Sequence, residues 1–158
     1  GAIGALIGIS LYILFFRKNK QKFLLLYMLP LPLVYGVAKL GCFFTGCCYG
    51  VFYNGLFSVT YYHSSFVNGV SLFPVQLLET ILNIFLFVGL YVDFIRKYNC
   101  INTIGKTLFF VSIIKFMTDY LRASHQGIFL SMNQMICIFF LLIGGLIWII
   151  SKHMYFKE

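Results

Sequence analysis

The chain has 158 residues, 61% of them hydrophobic and only 10% charged, with a mean hydropathy of +0.92. Helices of this composition are apolar all round and offer no charged face to water, which excludes a soluble globular domain. Lysine and arginine outnumber aspartate and glutamate by twelve to four. These cations gather in short breaks between apolar runs, which excludes a basic nucleic-acid face and points to a membrane protein.

Five apolar runs follow in chain order: 1–16, 23–44, 73–95, 107–121 and 129–150. The second, third and fifth are long enough to cross ~30 Å of hydrocarbon at ~1.5 Å per residue. The first and fourth are short, and the fourth is expected to borrow residues from Ile104 onward and past a snorkelling Arg122. The predicted fold class is therefore an all-α polytopic membrane protein of about five transmembrane helices, forming one domain over residues 1–158.

The breaks set the orientation. Arg17, Lys18, Lys20 and Lys22 form one basic cluster, Arg96, Lys97 and Lys106 another, and Lys152 and Lys157 follow the last run. Placing all of them in the cytoplasm leaves a long extracytoplasmic loop, 46–72, between the second and third helices and a cytoplasmic C-terminus. The first residue, Gly1, then falls outside and in mid-helix, so the chain is expected to be the C-terminal part of a longer protein. The loop carries aromatic and β-branched residues with turn signals at Asn54-Gly55 and Asn68-Gly69, which predicts short strands. Its lone His63 reads as a surface residue.

An ionisable side chain in hydrocarbon is costly, so each one is a functional candidate. Lys39 lies near the end of the second run, Glu79 near the start of the third, and Lys115, Asp119 and Arg122 in the fourth. The last three follow i, i+4 and i+7 spacing, which puts two cations and one carboxylate on one helical face. Taken alone, Lys115 and Asp119 could simply neutralise each other, and Arg122 could be an end anchor. All five, with Gln76, converge on the outer-leaflet half, where a polar cavity would suit a lipid phosphate. Asp93, beside Arg96, reads as a solvated or paired terminus on the cytoplasmic edge.

The stretch KLGCFFTGCCYG, residues 39–50, concentrates Cys42, Cys47 and Cys48 with three glycines. The C-x4-CC spacing matches no common metal site, and a fourth ligand would have to be His63 or a distant cysteine. A vicinal Cys47–Cys48 disulfide would close a strained ring. Small residues here suit close helix packing, with turns at Gly41, Gly46 and Gly50 whose amides could face an anion. No metal and no cofactor are expected, and the cysteines read as packing residues.

GVAKLGCFFTGCCYG, FPVQLLE at 73–79, KFMTDYLR at 115–122 and GIFLSMNQMICI from 127 resemble, in order, the signatures of the prolipoprotein diacylglyceryl transferases. That resemblance implies transfer of the diacylglyceryl group of phosphatidylglycerol to the lipobox cysteine thiol of a prolipoprotein, with release of glycerol phosphate. It implies the outer leaflet of the bacterial cytoplasmic membrane as the place, with the lipid bilayer and the prolipoprotein signal peptide as partners and no nucleic acid. By position it implies catalytic roles for Lys39, Lys115, Asp119 and Arg122. Gly41, Cys42, Gly46, Gly50, Gln76, Glu79, Ser131 and Gln134 would line or support the substrate site. The sequence departs from the family at Lys39 and Lys115, where arginines are usual, at Asp119, where glutamate is usual, and at Phe73, where histidine is usual. The alternatives are an inactive relative that binds phospholipid or a membrane partner, and a small transporter or channel subunit.

Overall fold

The computed structural model describes residues 20–62, 64–97, 99–125 and 129–155, together with Gly8. Apart from Gly8, the first apolar run lies outside the described residues, as do Arg17, Lys18, His63 and Lys157. Five helices are present among them: α1 (Lys20–Met28), α2 (Leu31–Thr45), α3 (Val75–Lys97), α4 (Cys100–Asp119) and α5 (Met132–Tyr155). Leu29 and Pro30 separate α1 from α2, and Pro32 stands in the first turn of α2. Proline has no amide to donate and disfavours helical geometry in the residue before it.

Among the described residues, four stretches are long and apolar enough to cross a membrane: Lys20–Thr45, Val75–Lys97, Cys100–Asp119 and Met132–His153. They coincide with the second to fifth predicted runs. The fourth begins earlier than its hydropathy suggests, because Asn99 caps it by accepting from the Asn102 amide at 3.0 Å. It also ends earlier, at Asp119, so that Arg122 has left the helix.

Burial is inverted relative to a water-soluble bundle. The buried set is mostly polar, including Gln76, Glu79, Thr80, Asn83, Thr103, Thr107, Thr118, Asp119 and Gln134, whereas Phe85, Leu142, Leu146 and Ile149 are exposed. Such a surface is stable only where the surroundings are lipid, and the chain is a multi-pass helical membrane protein.

With little hydrophobic drive between helices in lipid, close backbone approach and polar contacts hold the bundle. A Cβ on Gly105 would meet the Trp148 nitrogen at 2.7 Å, and one on Gly144 would meet the Phe109 nitrogen at 2.7 Å, so α4 and α5 cross backbone to backbone. The Thr80 hydroxyl donates to the Gly36 carbonyl at 3.0 Å and ties α3 to α2. At the basic end, Asp93 is paired with Lys97 at 3.2 Å and with Lys106 at 2.5 Å, and the Lys106 ammonium lies 5.8 Å from the Trp148 ring centroid.

The connection between α2 and α3 contains β1 (Val59–Thr60) and β2 (Ser71–Leu72), antiparallel, with Val59 opposite Leu72 and Thr60 opposite Ser71. Its first part runs against the segment after α4. Val51 donates to the Leu121 carbonyl at 3.0 Å and Ala123 to the Tyr49 carbonyl at 3.3 Å, with Gly50 opposite Arg122. This pairing fixes where Arg122 emerges.

Candidate functional site

Glu79 is the hub. It faces inward from the first turns of α3 and is 1% exposed. The Arg122 Nη2 group donates to both of its carboxylate oxygens, at 2.7 and 2.9 Å. Lys39 Nζ, from the last turns of α2, lies 3.3 Å from Oε2. The Thr118 hydroxyl donates to Oε1 at 3.0 Å, and the Tyr35 hydroxyl lies 3.4 Å from the same oxygen. Lys115 completes the set by donating to the Tyr35 hydroxyl at 2.8 Å. Lys39 and Lys115 also lie 5.2 and 5.0 Å from the Tyr35 ring centroid, so one aromatic ring serves both cations.

Two cations, Lys39 and Arg122, therefore share one buried carboxylate, and a third, Lys115, is joined to them through Tyr35. Burying unbalanced charge is expensive, so a surplus of positive charge around one carboxylate suits an anion. Arg122 Nε supports this: it is buried and has no hydrogen-bond partner among the described residues. A buried donor left unmade costs about 1–3 kcal/mol, which an anionic ligand oxygen would recover.

The carboxylate between the cations is thus Glu79, which corrects the expectation of Asp119 flanked by Lys115 and Arg122. Asp119 instead accepts a short hydrogen bond from the Ser131 hydroxyl. The helix stops at Asp119, and the following residues bend into the pairing with 49–51, which carries Arg122 off the face shared by Lys115 and Asp119.

Ser131 and Gln134 form a reciprocal cap at the start of α5. The Gln134 amide donates to the Ser131 hydroxyl at 3.1 Å, and the Ser131 amide donates to the Gln134 side-chain oxygen at 3.0 Å. Asp119 therefore sits at a helix N-terminus, where a negative charge is favoured.

The cysteine stretch is shaped by two of its three glycines. Gly46 ends α2 in left-handed geometry with φ +70°; its amide and that of Cys47 close back on the last turn, and a Cβ would meet the Ser64 hydroxyl at 2.6 Å. Gly50 has the Phe73 carbonyl 2.4 Å and the Leu121 carbonyl 2.9 Å from where a Cβ would stand. Gly41, expected to turn the chain, instead lies within α2 with open space beside it. Accordingly, Gly41→Ala should fold like the parent, whereas Gly50→Ala should lower stability by about 1–3 kcal/mol, measured by thermal unfolding in detergent. An unchanged Gly50→Ala midpoint would refute this account of the loop. Gln76 holds the same loop from α3 by donating to the Cys47 carbonyl at 2.8 Å.

Of the three cysteines expected to pack, Cys42 and Cys47 are half-buried. The sulfurs of Cys42, Cys47 and Cys48 converge, and Cys48 is exposed. The Thr45 hydroxyl, 3.2 Å from the Cys47 sulfur, holds that thiol below its ordinary pKa, while burial pushes the Tyr61 hydroxyl up. Sequence reasoning missed Tyr35 and Thr118. The i, i+4 spacing of Tyr35 and Lys39 was the available signal for Tyr35, and Thr118 had none that separates it from the other hydroxyl residues of α4.

Fold and site together define a helical membrane protein with a buried, cation-rich centre. Residues 1–150 match the prolipoprotein diacylglyceryl transferase family, and the chain belongs to that family. It is similar to phosphatidylglycerol–prolipoprotein diacylglyceryl transferase 2 of Clostridium perfringens (strain 13 / Type A), 33% identical over 160 residues, which cover 95% of this chain and 60% of that protein. It is also similar to the phosphatidylglycerol–prolipoprotein diacylglyceryl transferase of Clostridium tetani (strain Massachusetts / E88), 28% identical over 157 residues, covering 94% and 63%. The chain thus spans about three fifths of the length of the curated relatives it matches. No solved structure gives a significant match.

Proposed function

We propose that this chain transfers the diacylglyceryl group of phosphatidylglycerol to the lipobox cysteine of a prolipoprotein, within a single membrane domain and at the outer leaflet. The observation that carries the reading is the surplus of buried positive charge around Glu79, with the unpaired Arg122 Nε. The names of the two Clostridium relatives supply the donor and acceptor classes. The outer-leaflet placement rests on the site lying at the opposite end of α3 from Arg96 and Lys97, some 17 residues or ~25 Å along the helix, since such basic ends favour the cytoplasm.

In the reaction the acceptor sulfur forms a bond to the terminal glycerol carbon of the diacylglyceryl group as that carbon's bond to the phosphate oxygen breaks. The electron pair leaves with glycerol phosphate, and the thiol proton is released to water. Negative charge develops on the departing oxygen, where preorganised cations have most effect. Arg122 and Lys39 are assigned to the phosphate, Glu79 holds both in place, and Lys115 acts through Tyr35. Asp119 is assigned a positioning role, because it ties the end of α4 to the start of α5 through Ser131.

Lys39 provides a direct test. In the full-length protein, reconstituted in phosphatidylglycerol vesicles with a lipobox peptide, Lys39→Arg should retain transfer and Lys39→Ala should lose at least tenfold. Peptide mass and glycerol phosphate are followed together. Glycerol phosphate release without peptide modification would assign a different acceptor, and no signal from folded parent protein would favour an inactive, lipid-binding relative.

A further inference from the structure

The sulfurs of Cys42, Cys47 and Cys48 all lie within 4.8 Å of one another. They come from two places: Cys42 projects from the last turns of α2, and Cys47 and Cys48 lie in the turn that follows. Bringing them together requires the left-handed Gly46 and, two residues on, a second left-handed residue, Cys48, with φ +54°. A non-glycine residue in that region is strained and persists only where its surroundings impose it. Here they do. The Cys47 amide is bonded to the Cys42 carbonyl at 3.1 Å, the Cys47 carbonyl to Gln76, and the next residues to 121–123.

We propose that Cys42, Cys47 and Cys48 form a three-thiolate site for a thiophilic divalent cation of the zinc class, with the fourth coordination position open to solvent on the Cys48 side. Around such an ion, tetrahedral thiolates at ~2.3 Å stand about 3.8 Å apart, so the sulfurs need to close by about 1 Å at most. Cys48 is exposed and free to make that adjustment. Binding forms three metal–sulfur bonds and releases three thiol protons to water, with no change of oxidation state. Charge favours a divalent over a monovalent ion. Three thiolates with a divalent cation leave one negative charge at the edge of an apolar helix, whereas a monovalent cation would leave two. The site uses none of the groups assigned to the phosphate, so it stands or falls separately from the transferase reading.

The test uses the full-length protein, reduced with a non-thiol reductant in detergent, and titrates Cd2+ as a spectroscopic stand-in, with Zn2+ as competitor. One ion per chain should bind, with ultraviolet thiolate-to-metal charge-transfer absorption that Zn2+ abolishes. Cys42→Ser, Cys47→Ser and Cys48→Ser should each weaken binding at least tenfold, and Cys100→Ser/Cys137→Ser should leave it unchanged. A second readout needs no variant: Zn2+ should protect Cys42, Cys47 and Cys48 of the parent from alkylation, mapped by peptide mass. Binding that persists in Cys48→Ser, protection that follows Cys100 or Cys137, or a disulfide among the three in place of metal binding would each overturn the proposal.

Discussion

Arg122→Ala should abolish diacylglyceryl transfer, with a loss of at least 10²–10³-fold, the scale seen when one preorganised donor to a developing oxyanion is removed. Arg122 reaches the centre from outside any helix, held by the pairing of its segment with Gly50 and Val51, and its side chain is 11% exposed. Its Nη2 group is engaged by Glu79 and its Nε has no acceptor among the described residues. Truncation therefore removes a substrate donor and also strips Glu79 of its strongest partner. Arg122→Lys separates the two effects. A lysine restores the charge next to Glu79 but lacks the planar fork, so stability should largely return while transfer remains impaired. The measurement is initial transfer rate in phosphatidylglycerol vesicles beside thermal unfolding of the same preparations. Recovery of both to parent levels in Arg122→Lys would show that charge alone suffices and that the free Nε has no part in catalysis.

Glu79→Ala should be the most destabilising single substitution in the site. Breaking a buried ion pair from one side leaves an uncompensated charge and typically costs 3–5 kcal/mol, roughly, because the remaining partner cannot reach water. At this site two partners are stranded, Lys39 and Arg122, and Thr118 loses its acceptor as well. Glu79→Gln keeps the shape and one acceptor oxygen but not the charge, so it should fall between parent and Ala. The double variant Glu79→Ala/Arg122→Ala should lose less stability than the sum of the two single changes, since each single change exposes the cost that the other removes. Thermal unfolding of the four proteins in one detergent closes this cycle. Strict additivity would mean that Glu79 and Arg122 do not depend on each other in the folded protein.

Both predictions concern residues the sequence had singled out, but for partly different reasons. Lys39, Glu79, Lys115 and Arg122 stood out because ionisable groups are rare in apolar runs, and the structure brings all four into one network. Asp119 stood out on the same ground and belongs elsewhere, with Ser131 and the start of α5. Helical spacing could not reveal this, because it assumes that the helix continues through Arg122, and a backbone pairing with residues 49–51 ends it first.

What the sequence by itself determined is what depends on composition along the chain. Hydropathy marked the four described membrane-spanning stretches, since each must be apolar for a sufficient length whatever it packs against. Charge rarity marked the ionisable groups, and the order of motifs marked the family. What only the tertiary structure decided is which polar groups meet. That Glu79 rather than Asp119 is the shared carboxylate, that Tyr35 bridges to Lys115, and that three thiols gather beyond α2 all follow from contacts between segments up to 80 residues apart or from left-handed backbone in a turn. Inside a membrane bundle the drive for such meetings is the satisfaction of buried polar groups, and that depends on how the helices sit against one another rather than on any local pattern.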